Sequence, residues 1–288
     1  MCGVLYLGGV RMVRDGRSQA RIGGILISLA LSILPLHAQT KTRPVDVIAK
    51  PAEPGEPLNK IWLNYEYEHF NRDFSPWHWA SLEYSHRFDW GALVGRVNWA
   101  DRFDDTAMQY EVDAYPHLWK GAYLYLNVGV ADEGFLPTRR YGAEIYCALP
   151  KQFEASVGVR RLEYEVSDVW LYTGSIGWYR GNWYMAFRPW ISNKPGDTSV
   201  SASFMARKYL ATKDDYWTLR VGGGQSSEVD QSIDSLLLSS QWYVLGEWQK
   251  KFRPLWILTT KAGVGAQSFE GGVNRQSWLV GAGIARMF

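Results

Sequence analysis

From Trp62 to Phe288, apolar and polar residues alternate in segments of about ten residues, separated by short clusters of turn-forming residues. Between Leu93 and Phe103, the residues Leu93, Val97, Trp99 and Phe103 fall on one parity, and Arg96, Asn98 and Arg102 on the other. The next segment opposes Met108, Tyr110, Val112 and Ala114 to Gln109, Glu111 and Asp113. A period of two is that of an extended strand, whose successive side chains point to opposite faces. Folding these segments as a hairpin about Asp104-Asp105-Thr106 brings Arg102, Asn98 and Arg96 onto the face of Gln109, Glu111 and Asp113. Opposite charges across the pair favour this register, and a slip of one residue would turn every side chain to the wrong face.

The pattern continues along the chain. Ala122, Leu124, Leu126, Val128 and Val130 alternate with Tyr123, Tyr125 and Asn127, and Ala155, Val157 and Val159 with Glu154, Ser156 and Arg160. Val200, Ala202, Phe204 and Ala206 alternate with Ser199, Ser201, Ser203 and Arg207, and Trp217, Leu219 and Val221 with Thr218 and Arg220. No stretch longer than a loop segment carries a helical period. The segments predict an all-β, antiparallel chain of about 14 strands, with 12 as the alternative.

Composition decides what such strands face. Aromatic residues make up 15% of the chain, with 15 Trp and 17 Tyr, charged residues only 21%, and mean hydropathy is −0.24. That is too polar for a bundle of membrane helices and unusually aromatic for a soluble sheet. A transmembrane barrel reconciles the two, because each strand pairs a lipid-facing row with a polar lumen-facing row, and aromatic girdles mark both interfaces. Trp77, Trp79, Trp90, Trp119, Trp178, Trp183, Trp242, Trp248 and Trp256 are the candidates for those girdles. Tight turns at Asp89-Trp90-Gly91, Leu149-Pro150-Lys151 and Gly181-Asn182 fall on one side, and the longest connection, Ser226 to Leu238, on the other. Short periplasmic turns and longer surface loops are the asymmetry expected of bacterial barrels.

The chain start predicts export. Arg11, Arg14, Arg17 and Arg21 precede an apolar run from Ile22 to Leu36, then Leu36-His37-Ala38. This is a signal peptide, residues 1–38, cleaved near Ala38, with Met12 as an alternative start. Residues 39–60, with Pro44, Pro51, Pro54 and Pro57, read as a periplasmic leader, and residues 61–288 as the barrel. Trp278, Val280, Ala282, Ile284 and the terminal Phe288 share one parity, resembling the closing-strand signal that barrel-assembly machinery recognises.

At this point a family resemblance becomes visible. Its residues are Arg72-Asp73-Phe74-Ser75-Pro76-Trp77, Gly95-Arg96-Val97-Asn98-Trp99-Ala100-Asp101-Arg102-Phe103, and Gln109-Tyr110-Glu111-Val112-Asp113-Ala114-Tyr115-Pro116. Later come Tyr141-Gly142-Ala143-Glu144-Ile145-Tyr146, Glu154-Ala155-Ser156-Val157-Gly158-Val159-Arg160, and Arg207-Lys208-Tyr209. The series resembles the YaiO family of outer-membrane β-barrel proteins over nearly the whole stretch from Trp62 to Phe288. The resemblance implies the outer membrane of a Gram-negative bacterium and no particular substrate.

The lumen-facing parity collects the acids Glu66, Glu68, Glu83, Glu111, Asp113, Glu144, Glu154 and Glu247. It also collects the bases Arg87, Arg96, Arg102, Arg140, Arg160, Arg188, Arg207, Arg220 and Lys261. Eight acids against nine bases suit mutual ion pairing in a narrow barrel, while the same side chains could line a hydrated constriction selective for polar solutes or saccharides. The function expected is therefore a narrow or gated channel. The alternatives are a structural or surface-interaction barrel with a salt-bridged, closed lumen, and a lipid-modifying enzyme. The expected partners are outer-membrane lipid, lipopolysaccharide, the assembly machinery and a polar solute such as a saccharide.

Chemistry beyond this is weakly encoded. Glu66 and Glu68 have the spacing of a paired carboxylate site, but charged lumen residues occur there routinely. His69, His78, His86 and His117 form no metal-ligand spacing, no nucleophile motif frames a serine, and Cys147 stands alone in the mature chain. Gly263 and Gly265, and Gly281 and Gly283, open no helix and so are no phosphate loops. No catalytic residue, cofactor or metal is expected, and a net charge of +2 gives no reason to expect nucleic acid.

Overall fold

The computed structural model describes residues 56–71, 74–102, 104–132, 135–165, 167–225, 238–269 and 274–288. The expected signal peptide, most of the leader, Phe103 and nearly all of the Ser226–Leu238 connection lie outside these residues.

Fourteen strands follow one another: β1 (Asn59–Phe70), β2 (Trp77–Phe88), β3 (Gly91–Arg102), β4 (Asp105–Trp119), β5 (Ala122–Ala131), β6 (Arg139–Leu149) and β7 (Phe153–Glu163). Then come β8 (Asp168–Arg180), β9 (Trp183–Lys194), β10 (Asp197–Tyr209), β11 (Tyr216–Gly224), β12 (Leu238–Arg253), β13 (Trp256–Phe269) and β14 (Asn274–Met287). Each pairs antiparallel with its sequence neighbours, and β1 pairs with β14, so the sheet closes on itself. The strand count is thus 14 and not 12. Closure satisfies every strand edge, which an open sheet in lipid could not do.

The β3–β4 hairpin takes the register that its charges favour, with Arg96 opposite Glu111 and Asn98 opposite Gln109. All along the barrel one parity is exposed and apolar, as at Val128, Val157, Phe204 and Leu219, and the other is buried and largely polar. The even strand number puts Asn59 and Phe288 at one end, joined by reciprocal backbone hydrogen bonds of 3.0 Å. This is called the terminal end, and the opposite one the far end.

Connections at the terminal end are short. Two residues join β2 to β3, β4 to β5, β8 to β9 and β12 to β13, and a 3-10 turn, Pro150–Gln152, joins β6 to β7. Gly181 takes φ +59° in the β8–β9 turn, the left-handed geometry that a two-residue hairpin needs. At Gly91, φ is +150° and a Cβ would stand 2.1 Å from the Tyr115 carbonyl oxygen, so any other residue would force the backbone to shift. The turn asymmetry expected from sequence is only partial. Two-residue turns also close β3–β4 and β9–β10 at the far end, and six residues join β10 to β11 at the terminal end.

Candidate functional site: the barrel interior

Of the seventeen charged residues expected on the lumen face, thirteen are buried and four half-buried (Arg87, Arg96, Glu247, Lys261). Ions removed from water must be paired, and the interior pairs them in three sectors along the wall.

On β2 to β6, Arg96 is the hub. Its guanidinium donates to Glu83 Oε2 at 3.3 Å, to Glu111 Oε2, and to Asp113 Oδ2 at 2.8 Å. Arg140 donates to the other Glu111 oxygen at 2.7 Å, while Asn127 and Tyr125 donate to Asp113 Oδ1 at 2.6 and 3.2 Å. A planar fork with five donors suits such a convergence of carboxylates, where a lysine would supply one point charge.

On β6 to β9, Arg188 donates to Glu144 Oε1 at 2.6 Å and to the Tyr146 hydroxyl at 2.9 Å. Ser156 also donates to Glu144 at 2.6 Å, and Arg160 lies 3.9 Å away. Tyr184 donates to Glu154 at 3.1 Å. Tyr146 stacks on Tyr123 with centroids 4.6 Å apart, and Trp190 lies under both Arg160 and Arg188.

On β10 to β13 and β1, Arg207 donates to Thr218 at 2.9 Å, approaches Glu247 at 3.7 Å and lies 3.9 Å from the Tyr216 ring centre. Arg220 donates to the Met205 sulfur at 3.3 Å, and Lys261 to Glu66 at 2.6 Å. Arg87 shares the inward parity but sits at the terminal mouth, paired at 3.0 Å with Glu56. The opposite oxygen of Glu56 accepts from Lys213 in the β10–β11 turn at 2.8 Å, so Glu56 straps part of that mouth. A cavity of about 100 Å³ beside it is lined by Glu56, Asn59, Arg87, Lys213 and Lys251 among others.

The far end is built differently. Phe135 and Leu136, from the β5–β6 connection, are buried against Phe70 of β1, Trp77 and Trp79 of β2, Leu162 of β7 and Val169 of β8. Phe74 and Tyr164, from two further connections, belong to the same cluster. Since β1–β2 and β7–β8 stand almost diametrically apart in a ring of fourteen, this apolar layer crosses the lumen. Arg102 lies 4.8 and 5.3 Å from the Trp77 and Trp79 ring centres, and Arg275 4.0 Å from that of Phe70, with Gln267 accepting from its Nε at 3.0 Å. Glu68 is buried at this level.

Three features escaped the sequence reading. Trp77 and Trp79 are buried inside and are not girdle residues, whereas Trp90, Trp119, Trp183 and Trp242 are exposed as expected. Arg275 lies inward with Ser277 and Leu279, a parity that the sequence of β14 already carried. Phe135 and Leu136 gave no periodic signal, since they lie in an irregular loop. Among the described residues no group of three or more His, Cys, Asp or Glu could hold a metal ion.

A closed barrel with an apolar exterior, a polar interior and interfacial aromatics is an integral outer-membrane β-barrel. The YaiO membrane beta barrel domain matches residues 58–229, more than half of the chain, and the chain belongs to that family. The protein is accordingly placed in the outer membrane. No curated protein matches it by sequence. Among solved structures, a bacterial polysaccharide outer membrane secretin is similar with a TM-score of 0.54 at 7% identity, over 81% of this chain and 99% of that one. Omp33 of Acinetobacter baumannii gives 0.49 at 10% identity, over 81% and 99%. The CymD monoaromatic hydrocarbon channel gives 0.49 at 8% identity, over 82% and 90%. At 7% identity the likeness to the secretin is one of fold alone.

Proposed function

We propose that the barrel is a gated conduit for polar solutes, saccharides among them, and that this conformation is its closed state. The observation that carries this reading is the division of labour inside the lumen. Charged groups such as Glu83 and Glu144, at 1% and 2% exposure, have almost no contact with solvent, so the interior admits no open water column. Yet the ion pairs run along the wall, between strands at most three apart: Arg96 to Glu83 and Glu111, Arg140 to Glu111, Arg188 to Glu144. What crosses from wall to wall at the far end is the apolar layer delivered by the β5–β6 connection. Withdrawing a loop would open that mouth without separating those charges, and would leave a polar lining behind. The seventeen charged residues named above are, on this reading, the lining of the conduit.

Planar-bilayer recording tests the idea. The native barrel should be nearly silent, and the variant Phe135→Ser with Leu136→Ser should show discrete openings. A correctly folded variant that stays silent across salts and potentials would favour the second reading, a permanently closed structural barrel. The three-carboxylate clasp of Arg96, which ties β2, β3 and β4 together, is what supports that second reading. Neither reading assigns a catalytic residue.

A further inference from the structure

We infer that the outer face of β8 to β12 at the terminal end is a binding site for the anionic headgroup of a membrane phospholipid. Register places five outward side chains side by side there: Arg180 opposite Trp183, Trp183 opposite Lys208, Lys208 opposite Trp217, and Trp217 opposite Trp248. Cations and indoles thus share one row around the barrel. The Lys208 ammonium lies 5.4 Å from the Trp183 ring centre and the Arg180 guanidinium 5.5 Å from that of Trp178. Trp217 and Trp248 stack at 5.7 Å. The stems of both cations therefore run over aromatic surface while their charged ends stay at the interface.

Three observations point to an anion. Arg180 and Lys208 are both exposed, and among the described residues neither forms an ion pair, so their charge is open to an outside partner. The next cation along, Lys250, is already held by Asp215 at 3.8 Å, which sets the limit of the site. The two open cations stand two strands apart, about 10 Å between backbones, a span that long side chains close onto one phosphodiester. Immediately toward the barrel middle, Phe187, Phe204 and Leu219 are exposed and apolar, a bed for acyl chains. At this end Phe88 closes β2, Leu149 closes β6 and Phe153 opens β7 without a cation, and a shorter row on β12 to β14 sets Trp256 between Arg253 and Arg286, the Arg286 guanidinium 5.6 Å from its ring centre. An anionic headgroup with its chains is the ligand that such a row accepts, since a zwitterionic one brings its own cation against Lys208.

The test uses the refolded mature protein in detergent with equal amounts of dioleoyl phosphatidylglycerol and dioleoyl phosphatidylcholine, read by native mass spectrometry. The expected result is preferential retention of phosphatidylglycerol, falling about fivefold for Arg180→Gln or Lys208→Gln and by roughly twenty- to thirtyfold for the pair. The charge-preserving pair Arg180→Lys with Lys208→Arg should keep the preference. Folding of each variant is checked by the gel shift between boiled and unboiled samples. Equal retention of the two lipids by the native protein would overturn the inference, as would an unchanged preference in the folded neutral pair. Because this row lies on the outside, silence of the loop variant in bilayers bears only on the conduit, and loss of lipid preference only on the row.

Discussion

Replacing Arg96 by methionine is the sharpest test of how the interior holds together. The substitution keeps an unbranched, flexible apolar stem but removes the guanidinium that serves Glu83, Glu111 and Asp113 at once. Breaking a buried ion pair by deleting one partner costs about 3–5 kcal/mol, because the other charge stays buried. Glu111 retains Arg140, and Asp113 retains Asn127 and Tyr125. The cost should therefore fall at the lower end, about 3 kcal/mol. At about 2–4 °C per kcal/mol for a domain of this size, the thermal midpoint drops by roughly 6–12 °C. The assay is loss of the unboiled gel band with temperature, in one detergent and at neutral pH. Arg96→Lys should fall between the two, since one ammonium cannot reach three carboxylates. In a Glu83→Gln background the effect of Arg96→Met should shrink, because one buried charge has already gone. A midpoint for Arg96→Met within about 2 °C of the native barrel, below the shift of one kcal/mol, would refute the claim that this hub stabilises the wall.

Three further perturbations separate other parts of the molecule. Val157 stands outward near the middle of β7 at 65% exposure, so Val157→Arg should cost about 2–4 kcal/mol in urea unfolding from lipid vesicles, and no cost there would contradict its lipid-facing placement. Gly91→Ala must be accommodated against the Tyr115 carbonyl, and about 1–3 kcal/mol of strain should appear as a lower unfolding midpoint; an unchanged midpoint would mean that the β2–β3 turn relaxes freely. Glu56 has its carboxyl held below the ordinary glutamate range, first by the hydrogen bond from Lys213. A lowered carboxylate pKa stabilises the strap above the ordinary value, and this is lost as pH falls through the lowered one. Carboxyl NMR of Glu56 should show that low midpoint and its upward return in Lys213→Met, and an equal midpoint in both proteins would dismiss the strap.

What the sequence displayed, and what it hid, follows from the range of each interaction. Period-two alternation is local, so the strand direction, the facing of Arg96 against Glu111 and the burial of Glu144 and Arg207 could all be read from residues a few positions apart. The hairpin turns at Gly91 and Gly181 are local too. Which carboxylate an arginine finds is not: Arg188 on β9 reaches Glu144 on β6 only because the sheet closes. The apolar layer was invisible for the same reason. Phe135-Leu136 sits between Gly134 and Pro137, a composition that reads as an exposed loop, and its burial depends on residues from strands across the barrel. Trp77 and Trp79 were misplaced because girdle and plug call for the same residue type at the same depth. Only the inward parity, shared with Ser81 and Glu83, separates them.

The charges left behind when the loop withdraws make one more prediction. Around β2 to β6, Glu83, Glu111 and Asp113 face Arg96 and Arg140, one acid in excess. Arg160 and Arg188 balance Glu144 and Glu154. On β10 to β13 and β1, Arg207, Arg220 and Lys261 exceed Glu247 and Glu66 by one, and at the far end Arg102 and Arg275 exceed Glu68 by one. Setting aside the groups at the terminal mouth, Glu56, Lys60, Arg87 and Lys251 among them, nine bases stand against eight acids, a net of one positive charge. Rings and patches of one sign set selectivity, and an excess of one among seventeen charged groups gives only a weak bias. A pore opened by Phe135→Ser with Leu136→Ser should thus prefer chloride to potassium slightly, read as a small reversal potential in a salt gradient. Adding Arg220→Gln, which removes one cation of the basic sector, should abolish or invert it. Strong cation selectivity in the opened pore would mean that the arginines do not line the path, and the assignment of this interior as the conduit would fall with them.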